Sequence, residues 1–191
     1  MGLLNSIREV LGIASVSPGE APAQRRPVVT YRSELVAAPP EGYESVYLPT
    51  ERQAELLVPR ADGLPPLHLV RHVGALWLAE DTTGKLINVD NRYLRRLGIF
   101  GVKVRGTHYY TGRAKLGPAA LVREPDNPHD PNAVAIHVGG EMLGHYNKGT
   151  ARSLAKRLDA GEPLQAVVIS TDPAKVISAP SDILRHLYRT V

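Results

Sequence analysis

A short proline-rich loop carries the residues with the most distinctive chemistry in the sequence. Three prolines between residues 124 and 132 each fix φ near about −65° and push the residue before them toward extended geometry, so the loop is stiff and non-helical. It presents Asn127, His129 and Asp130 at fixed angles. An ionised Asp130 can only accept hydrogen bonds, so it would favour a ligand hydroxyl, which can donate one, and repel a phosphate. The alternative is that Asn127 and Asp130 only cap their own turn.

Two adjacent tyrosines form a second candidate group. Tyr109 and Tyr110 are predicted to lie on a strand, where neighbouring side chains point to opposite faces. One ring would then be exposed, and an exposed aromatic ring on a small β-sheet can stack on a nucleobase, worth about 1–3 kcal/mol. The alternative is a pair of half-buried tyrosines with hydroxyls at the rim.

Basic residues surround the start of a predicted helix over residues 149–159. His145 and Lys148 precede that helix and Arg152 follows one turn later. The unpaired N–H groups and the positive end of the helix dipole favour a phosphate at such a terminus. The alternative is an ordinary capped surface helix with solvated charges.

Short strands must position these groups. Alternating apolar residues and turn signals predict strands over residues 99–105, 116–124, 132–138, 141–145 and 164–170. The 149–159 helix would be capped by Thr150 or Asn147, and a last helix would run from Ser181 or Asp182 through Tyr188. The predicted class is α+β, mainly β, with a small partly open barrel.

The first half is less informative. An apolar stripe predicts a helix over residues 3–13, and residues 15–27 are typical of a linker. Further elements are predicted at 45–48, 50–57, 67–70, 75–78, 85–89 and 91–97, with Thr50 and Asp90 as helix caps and Trp77 in the core. The expected division is a helix and linker (1–27), an α+β region of unknown role (28–98) and a third domain (99–191).

Composition narrows the class of protein. The chain has no cysteine, which excludes disulfides and thiolate chemistry, and no apolar run of about 18 residues that would suggest a membrane span. It lacks a signal-peptide profile, so a cytoplasmic protein is expected. The whole net charge of +4 lies after residue 98, because the first 98 residues hold equal numbers of acidic and basic side chains. A polyanion would therefore meet the second half.

Four segments of that half, at 104–112, 123–134, 143–148 and 151–158, resemble the HIRAN domain family. The resemblance covers about residues 99–180 and implies an OB-like barrel that recognises single-stranded DNA, preferably its 3′-hydroxyl end. It implies that Tyr109 stacks on the terminal nucleotide, and it places His129 where an aromatic residue is usual and His108 where Arg is frequent. His129 can still stack, with less area and a pH-dependent charge.

The resulting expectation is a DNA-binding module of repair or replication, with no catalysis, cofactor or metal of its own and with a helicase or nuclease as a possible partner. The predicted contact residues are His108, Tyr109, Asn127, His129, Asp130, His145, Lys148 and Arg152. One alternative is a protein-interaction module that binds no nucleic acid. A second is a metal-dependent phosphodiester hydrolase built on Asp126, His129, Asp130, His137 and His145, whose spacing matches no helix-borne ligand pair.

Overall fold

The computed structural model describes residues 44–191, so the predicted helix at 3–13 and the linker at 15–27 lie outside the described residues. This part of the chain contains nine strands in two antiparallel sheets. Their bounds are β1 Leu67–His72, β2 Ala75–Glu80, β3 Leu86–Ile87, β4 Phe100–Lys103, β5 Gly117–Arg123, β6 Val134–Val138, β7 Glu141–His145, β8 Leu164–Thr171 and β9 Ala174–Pro180.

The described region also contains three α-helices and three 3-10 helices. The α-helices are α1 Arg92–Arg96, α2 Lys148–Asp159 and α3 Ser181–Leu187. The 3-10 helices are Thr50–Leu57, Thr107–Tyr109 and Tyr188–Thr190.

The larger sheet curls into a half-barrel. Its strand order is β4-β9-β8-β5-β6-β7, and neighbouring strands are antiparallel. Arg105, just past the end of β4, exchanges both backbone hydrogen bonds with His145 at the end of β7, at 2.8 and 2.9 Å. The two edge strands therefore meet, and the expectation of a mainly β, partly open barrel with a few helices is confirmed.

The two faces of the half-barrel are covered by different elements. One face packs on the smaller sheet, of order β1-β2-β3, and on α3, in a core that includes Leu69, Leu78 and Ile177. The other face packs on α2 through a second core that includes Val176 and Leu154. The first core therefore contains residues from both sides of the predicted boundary at residue 98.

Strand β9 was not predicted. Its burial explains why, because its side chains contribute to both cores. Only Lys175 and Pro180, near its ends, are partly exposed. A strand buried on both faces lacks the alternation of apolar and polar residues on which the other strands were recognised.

Several local predictions were wrong in detail. The strand expected at Tyr109 is a 3-10 helix, because Gly106 adopts a left-handed conformation with φ of 75° and turns the chain out of the strand direction. The cap of α1 is the side chain of Asn91, which accepts a hydrogen bond from the Tyr93 N–H, rather than Asp90. Trp77 is half-buried, because Leu76 and Leu78 are the inward-facing residues of β2.

Within residues 44–191, no helix combines the length and the apolar character needed to cross a membrane.

Candidate nucleic-acid interface

The proline-rich loop is braced by the side chain of Asn127. Its Oδ1 accepts hydrogen bonds from the backbone N–H groups of His129 at 3.0 Å and Asp130 at 3.3 Å. Its Nδ2 donates to Oε2 of Glu124 at 2.8 Å. The side chain of Asn127 therefore shapes the loop, as the turn-capping alternative predicted, and leaves the His129 ring exposed to solvent.

Asp130 uses only one of its carboxylate oxygens within the loop. Oδ1 accepts from the backbone N–H of Asn132 at 2.9 Å and from Asn132 Nδ2 at 3.3 Å. The backbone N–H of Asn132 is the main cause that lowers the pKa of Asp130 below its ordinary value, and the charges of Lys148 and Arg152 add to it. Asp130 is thus an anion at neutral pH, and its Oδ2 accepts no hydrogen bond from any other described residue.

Glu124 links this loop to the opposite strand. Its Oε2 lies 2.9 Å from Nε2 of His145, and Nδ1 of His145 lies 3.3 Å from the hydroxyl oxygen of Tyr110. We call residues 106–110, which include Tyr109 and Tyr110, the tyrosine segment. A continuous chain of hydrogen bonds therefore runs from Tyr110 of this segment through His145 of β7 and Glu124 to Asn127. Both ring nitrogens of His145 are used in this chain, so its direct contact with a phosphate stays a prediction.

The charge of Glu124 is stabilised by the same contacts. Partial burial would raise its pKa, but hydrogen bonds from His145 and Asn127 outweigh that effect, and the pKa lies below the ordinary value for Glu. Because the carboxylate is ionised, its bonds to His145 and Asn127 are charge-assisted and stronger than bonds between neutral groups.

The tyrosine segment presents one ring to solvent. Tyr109 is 78% exposed, whereas Tyr110 is half-buried against His145. The His108 and Tyr109 rings lie against each other, with centroids 3.8 Å apart and an interplanar angle of 45°. An exposed ring supported from one side is a suitable surface for stacking on a base. One ring is exposed, as the alternation argument expected, but Tyr110 is half-buried rather than in the core, and a 3-10 helix instead of a strand separates the two rings.

Gly144 allows the tyrosine segment and β7 to approach each other. Its φ is 151°, and a Cβ atom at this position would lie 2.4 Å from the carbonyl oxygen of Arg105. Any side chain would push the backbone of Arg105 away from His145 and so displace both halves of the site.

The first two turns of α2 carry two cations that act on Asp130. Asn147 caps the helix by accepting a hydrogen bond from the Thr150 N–H at 3.0 Å, so of the two predicted caps Asn147 is the observed one. Lys148 and Arg152 are exposed, and neither forms an ion pair with another residue of the described part. Both are close enough to Asp130 to lower its pKa.

The loop, the tyrosine segment and the start of α2 are thus joined by these hydrogen bonds and charge interactions, and we call the group they form the 3′ cup. It contains the exposed ring of Tyr109, the loop around Asp130 and the cations of α2. All eight predicted contact residues lie on it or on the hydrogen-bond chain beneath it.

Sequence reasoning missed Glu124, which holds the cup together, and did not foresee the contact of Tyr110 with His145. The signal for Glu124 was present, because it precedes Pro125 and lies three residues before Asn127, where a carboxylate can meet the side-chain amide. His137, by contrast, has its Nδ1 3.4 Å from the carbonyl oxygen of Gly140 in the β6–β7 turn. Among residues 44–191, no group of three or more His, Asp or Glu side chains is arranged to hold a metal ion.

A curled antiparallel sheet with a polar cup at its closing edge defines a small β-barrel-like binding module. The HIRAN domain family model matches residues 97–184, and the chain therefore contains a HIRAN domain. The match extends a little beyond the part on which the resemblance was recognised.

Two known proteins with a similar sequence are helicase-like transcription factors. The chain is 38% identical over 68 residues to the helicase-like transcription factor of Mus musculus and 41% identical over 58 residues to that of Homo sapiens. These alignments cover 33% and 29% of this chain but only 7% and 6% of those proteins. The chain thus corresponds to a small fraction of the relatives it matches.

Two solved structures are also similar. The crystal structure of the HIRAN domain of human HLTF is 27% identical, with a TM-score of 0.41, and the match covers 48% of this chain and 84% of that one. The NMR structure of the HLTF HIRAN domain in its DNA-bound conformation is 27% identical, with a TM-score of 0.36, covering 47% and 82% respectively.

Proposed function

We propose that this protein binds single-stranded DNA and prefers a free 3′-hydroxyl end. The observation that carries the proposal is the state of Asp130, an anion whose Oδ2 accepts no hydrogen bond from another described residue and whose charge is stabilised in part by the cations Lys148 and Arg152. A 3′-hydroxyl can donate to that oxygen, whereas a 3′-phosphate would be repelled by it. The HIRAN domain at residues 97–184 supports the same function.

The geometry of the 3′ cup supports the following roles for its residues. Tyr109 stacks on the terminal base, His129 contacts the same nucleotide from the loop, and Lys148 with Arg152 attracts the phosphates. Asn127, Glu124 and His145 hold these groups in place through their mutual hydrogen bonds. His108 supports the ring of Tyr109.

We further propose that the protein acts as a binding module without catalysis of its own, in cytoplasmic processing of DNA ends during repair or replication. A helicase or nuclease that works on the bound end would be its natural partner, since recognition of a 3′ terminus delivers that end to another activity.

Labelled oligonucleotides with a 3′-hydroxyl, with a 3′-phosphate and in circular form test the proposal. The 3′-hydroxyl form should bind about tenfold or more tightly, because a hydrogen bond to a charged group contributes about 1.5–3 kcal/mol. Equal affinity for all three forms would rule out end recognition, and absence of binding at low salt would rule out nucleic acid.

The variant Asp130→Asn sharpens this test. Asn keeps an oxygen that can accept from Asn132, so the turn is retained, but replaces the free oxygen Oδ2 with a donor. We expect the preference for a 3′-hydroxyl to disappear and the affinity for the 3′-phosphate form to rise.

A further inference from the structure

A second groove begins beside the 3′ cup, between β4 and the first turns of α2. It has a volume of about 720 Å³ and is lined on one side by Lys103, Arg105 and Lys175 and on the other by Asn147 and Gly149. We call it the β4–α2 groove.

The groove is positively charged. Its one carboxylate among the lining residues, Asp90, is paired with Arg95. The side chains of Lys103, Arg105 and Lys175 form no hydrogen bond or ion pair with other residues of the 44–191 region. Three cations without partners in one groove are suited to a chain of phosphates.

An aromatic pocket of about 400 Å³ adjoins this groove. The two share Asn88, Val89 and Lys175, and the pocket is also lined by Tyr47 and Trp77. We call it the Tyr47–Trp77 pocket. The two rings lie 5.9 Å apart at an interplanar angle of 58°, and Tyr47 is 45% exposed.

The two aromatic rings of the pocket come from a part of the chain that precedes the HIRAN match. Alternation in β2 turns Leu76 and Leu78 into the core and leaves Trp77 on the opposite face. Gly101 brings this part onto β4, because a Cβ atom there would lie 2.5 Å from Cβ of Val89. The indole N–H of Trp77 is buried without an acceptor in the described part of the chain, which is unusual for a tryptophan.

The groove and the 3′ cup are continuous. Asn147 and Gly149 of the groove flank Lys148 of the cup, and the backbone of Arg105 is paired with that of His145. We propose that the β4–α2 groove and the Tyr47–Trp77 pocket bind the nucleotides on the 5′ side of the terminal one. Phosphates lie along Lys103, Arg105 and Lys175, and one base stacks in the pocket. This inference rests on the proposed function and extends it to a longer segment of single strand.

Intrinsic fluorescence gives a direct test, because Trp77 is the only tryptophan in the chain. Oligothymidylates of about three and about ten nucleotides, both with a 3′-hydroxyl, lie respectively below and within the range of about 4–16 nucleotides that single-strand binding barrels cover. The full chain should bind the longer one at least about fivefold more tightly, the effect of a single stacked base. Only the longer oligonucleotide should quench the fluorescence of Trp77.

Variants distinguish the groove from the cup. Tyr47→Ala and the double change Lys103→Ala with Lys175→Ala should weaken binding of the longer oligonucleotide and leave the shorter one unaffected. Lys148→Ala should weaken both. Lys156→Ala is the matched control, because this lysine is exposed in the last turn of the same helix, away from the groove.

Each outcome has a separate meaning. Equal affinity for the two lengths, with no quenching, overturns the extended path and leaves end recognition intact. Failure of both oligonucleotides to bind overturns the proposed function itself and this inference with it. Quenching of Trp77 that survives the double lysine change and Tyr47→Ala also overturns the extended path.

Discussion

The Nε2 atom of His145 lies 2.9 Å from Oε2 of Glu124, and this contact joins segments that are 21 residues apart in the sequence. The same carboxylate oxygen accepts a hydrogen bond from Asn127 at 2.8 Å. One oxygen atom therefore ties the loop that carries Asp130 to the strand that supports the tyrosine segment. The geometry of the 3′ cup depends on that atom being a strong acceptor.

Glu124→Gln should loosen this junction. The amide has no charge, so the hydrogen bonds from His145 and Asn127 lose their charge-assisted character, and the free energy of unfolding should fall by about 1–2 kcal/mol. Affinity for 3′-hydroxyl DNA should fall as well, because the weaker bond to Asn127 holds the loop less firmly against β7. Urea denaturation and fluorescence anisotropy measure the two effects.

Glu141→Gln is the matched control, since Glu141 lies exposed at the start of β7 and makes no side-chain hydrogen bond within residues 44–191. It should change neither stability nor binding. A Glu124→Gln protein that bound DNA ends as tightly as the parent would show that the junction does not position the cup.

Glu80 makes folding stability dependent on acid pH. Burial opposes its ionisation, but hydrogen bonds from Thr82 N at 2.6 Å, Thr83 N at 2.8 Å and Thr83 Oγ1 at 2.6 Å lower its pKa to about 2. Because the folded-state pKa lies below that of the unfolded chain, the stabilisation is fully present above about pH 5. It is lost as the pH falls through about 4 toward 2.

The contribution of Glu80 at neutral pH should be about 1–3 kcal/mol, since each pKa unit corresponds to about 1.4 kcal/mol and some exposure remains. Urea midpoints measured between about pH 6 and pH 3 should fall more steeply for the parent protein than for Glu80→Gln. Parallel slopes for the two proteins would show that Glu80 is not the responsible group.

Much of the fold followed from local patterns. The predicted strand at 141–145 has the observed bounds of β7, because apolar alternation and the Gly139-Gly140 turn both point to the same hairpin. Strand β9 lacked any such pattern, since its burial on both faces comes from tertiary packing. Trp77 was placed in the core because an apolar run does not reveal which face of a strand is inward.

The parts of the site whose residues are close together in the sequence could be predicted from it. The loop around Asn127 and Asp130 was identified from its prolines and polar residues alone. The hydrogen bonds of Glu124 to His145 and of His145 to Tyr110 depend on strand pairing between distant segments, which no local pattern encodes. The same holds for the proximity of Tyr47 to Lys175 across the two sheets.

Lys148→Ala should weaken binding to all single strands alike. This lysine is exposed and contributes charge rather than a reading of the terminus, so 3′-hydroxyl and 3′-phosphate oligonucleotides should lose affinity by the same factor. The logarithm of the association constant falls linearly with the logarithm of the salt concentration. The slope of that line should become less negative by about 0.7, the value for one phosphate contact on a single strand. Lys156→Ala, at the other end of α2, should leave the slope unchanged. A loss confined to 3′-hydroxyl DNA would instead place Lys148 among the groups that read the end.

Tyr109→Ala separates binding from folding in a single change. The ring is 78% exposed, so little apolar contact is lost and the free energy of unfolding should change by less than about 0.5 kcal/mol. If the ring stacks on the terminal base, affinity should fall by a factor of about 5 to 150, which corresponds to 1–3 kcal/mol.

Tyr109→Phe keeps the stacking surface and should bind nearly as well as the parent, whereas Tyr110→Phe removes the hydroxyl that contacts His145. Anisotropy with a short 3′-hydroxyl oligonucleotide, alongside urea denaturation, gives both quantities. An unchanged affinity in Tyr109→Ala would exclude this ring from the binding surface.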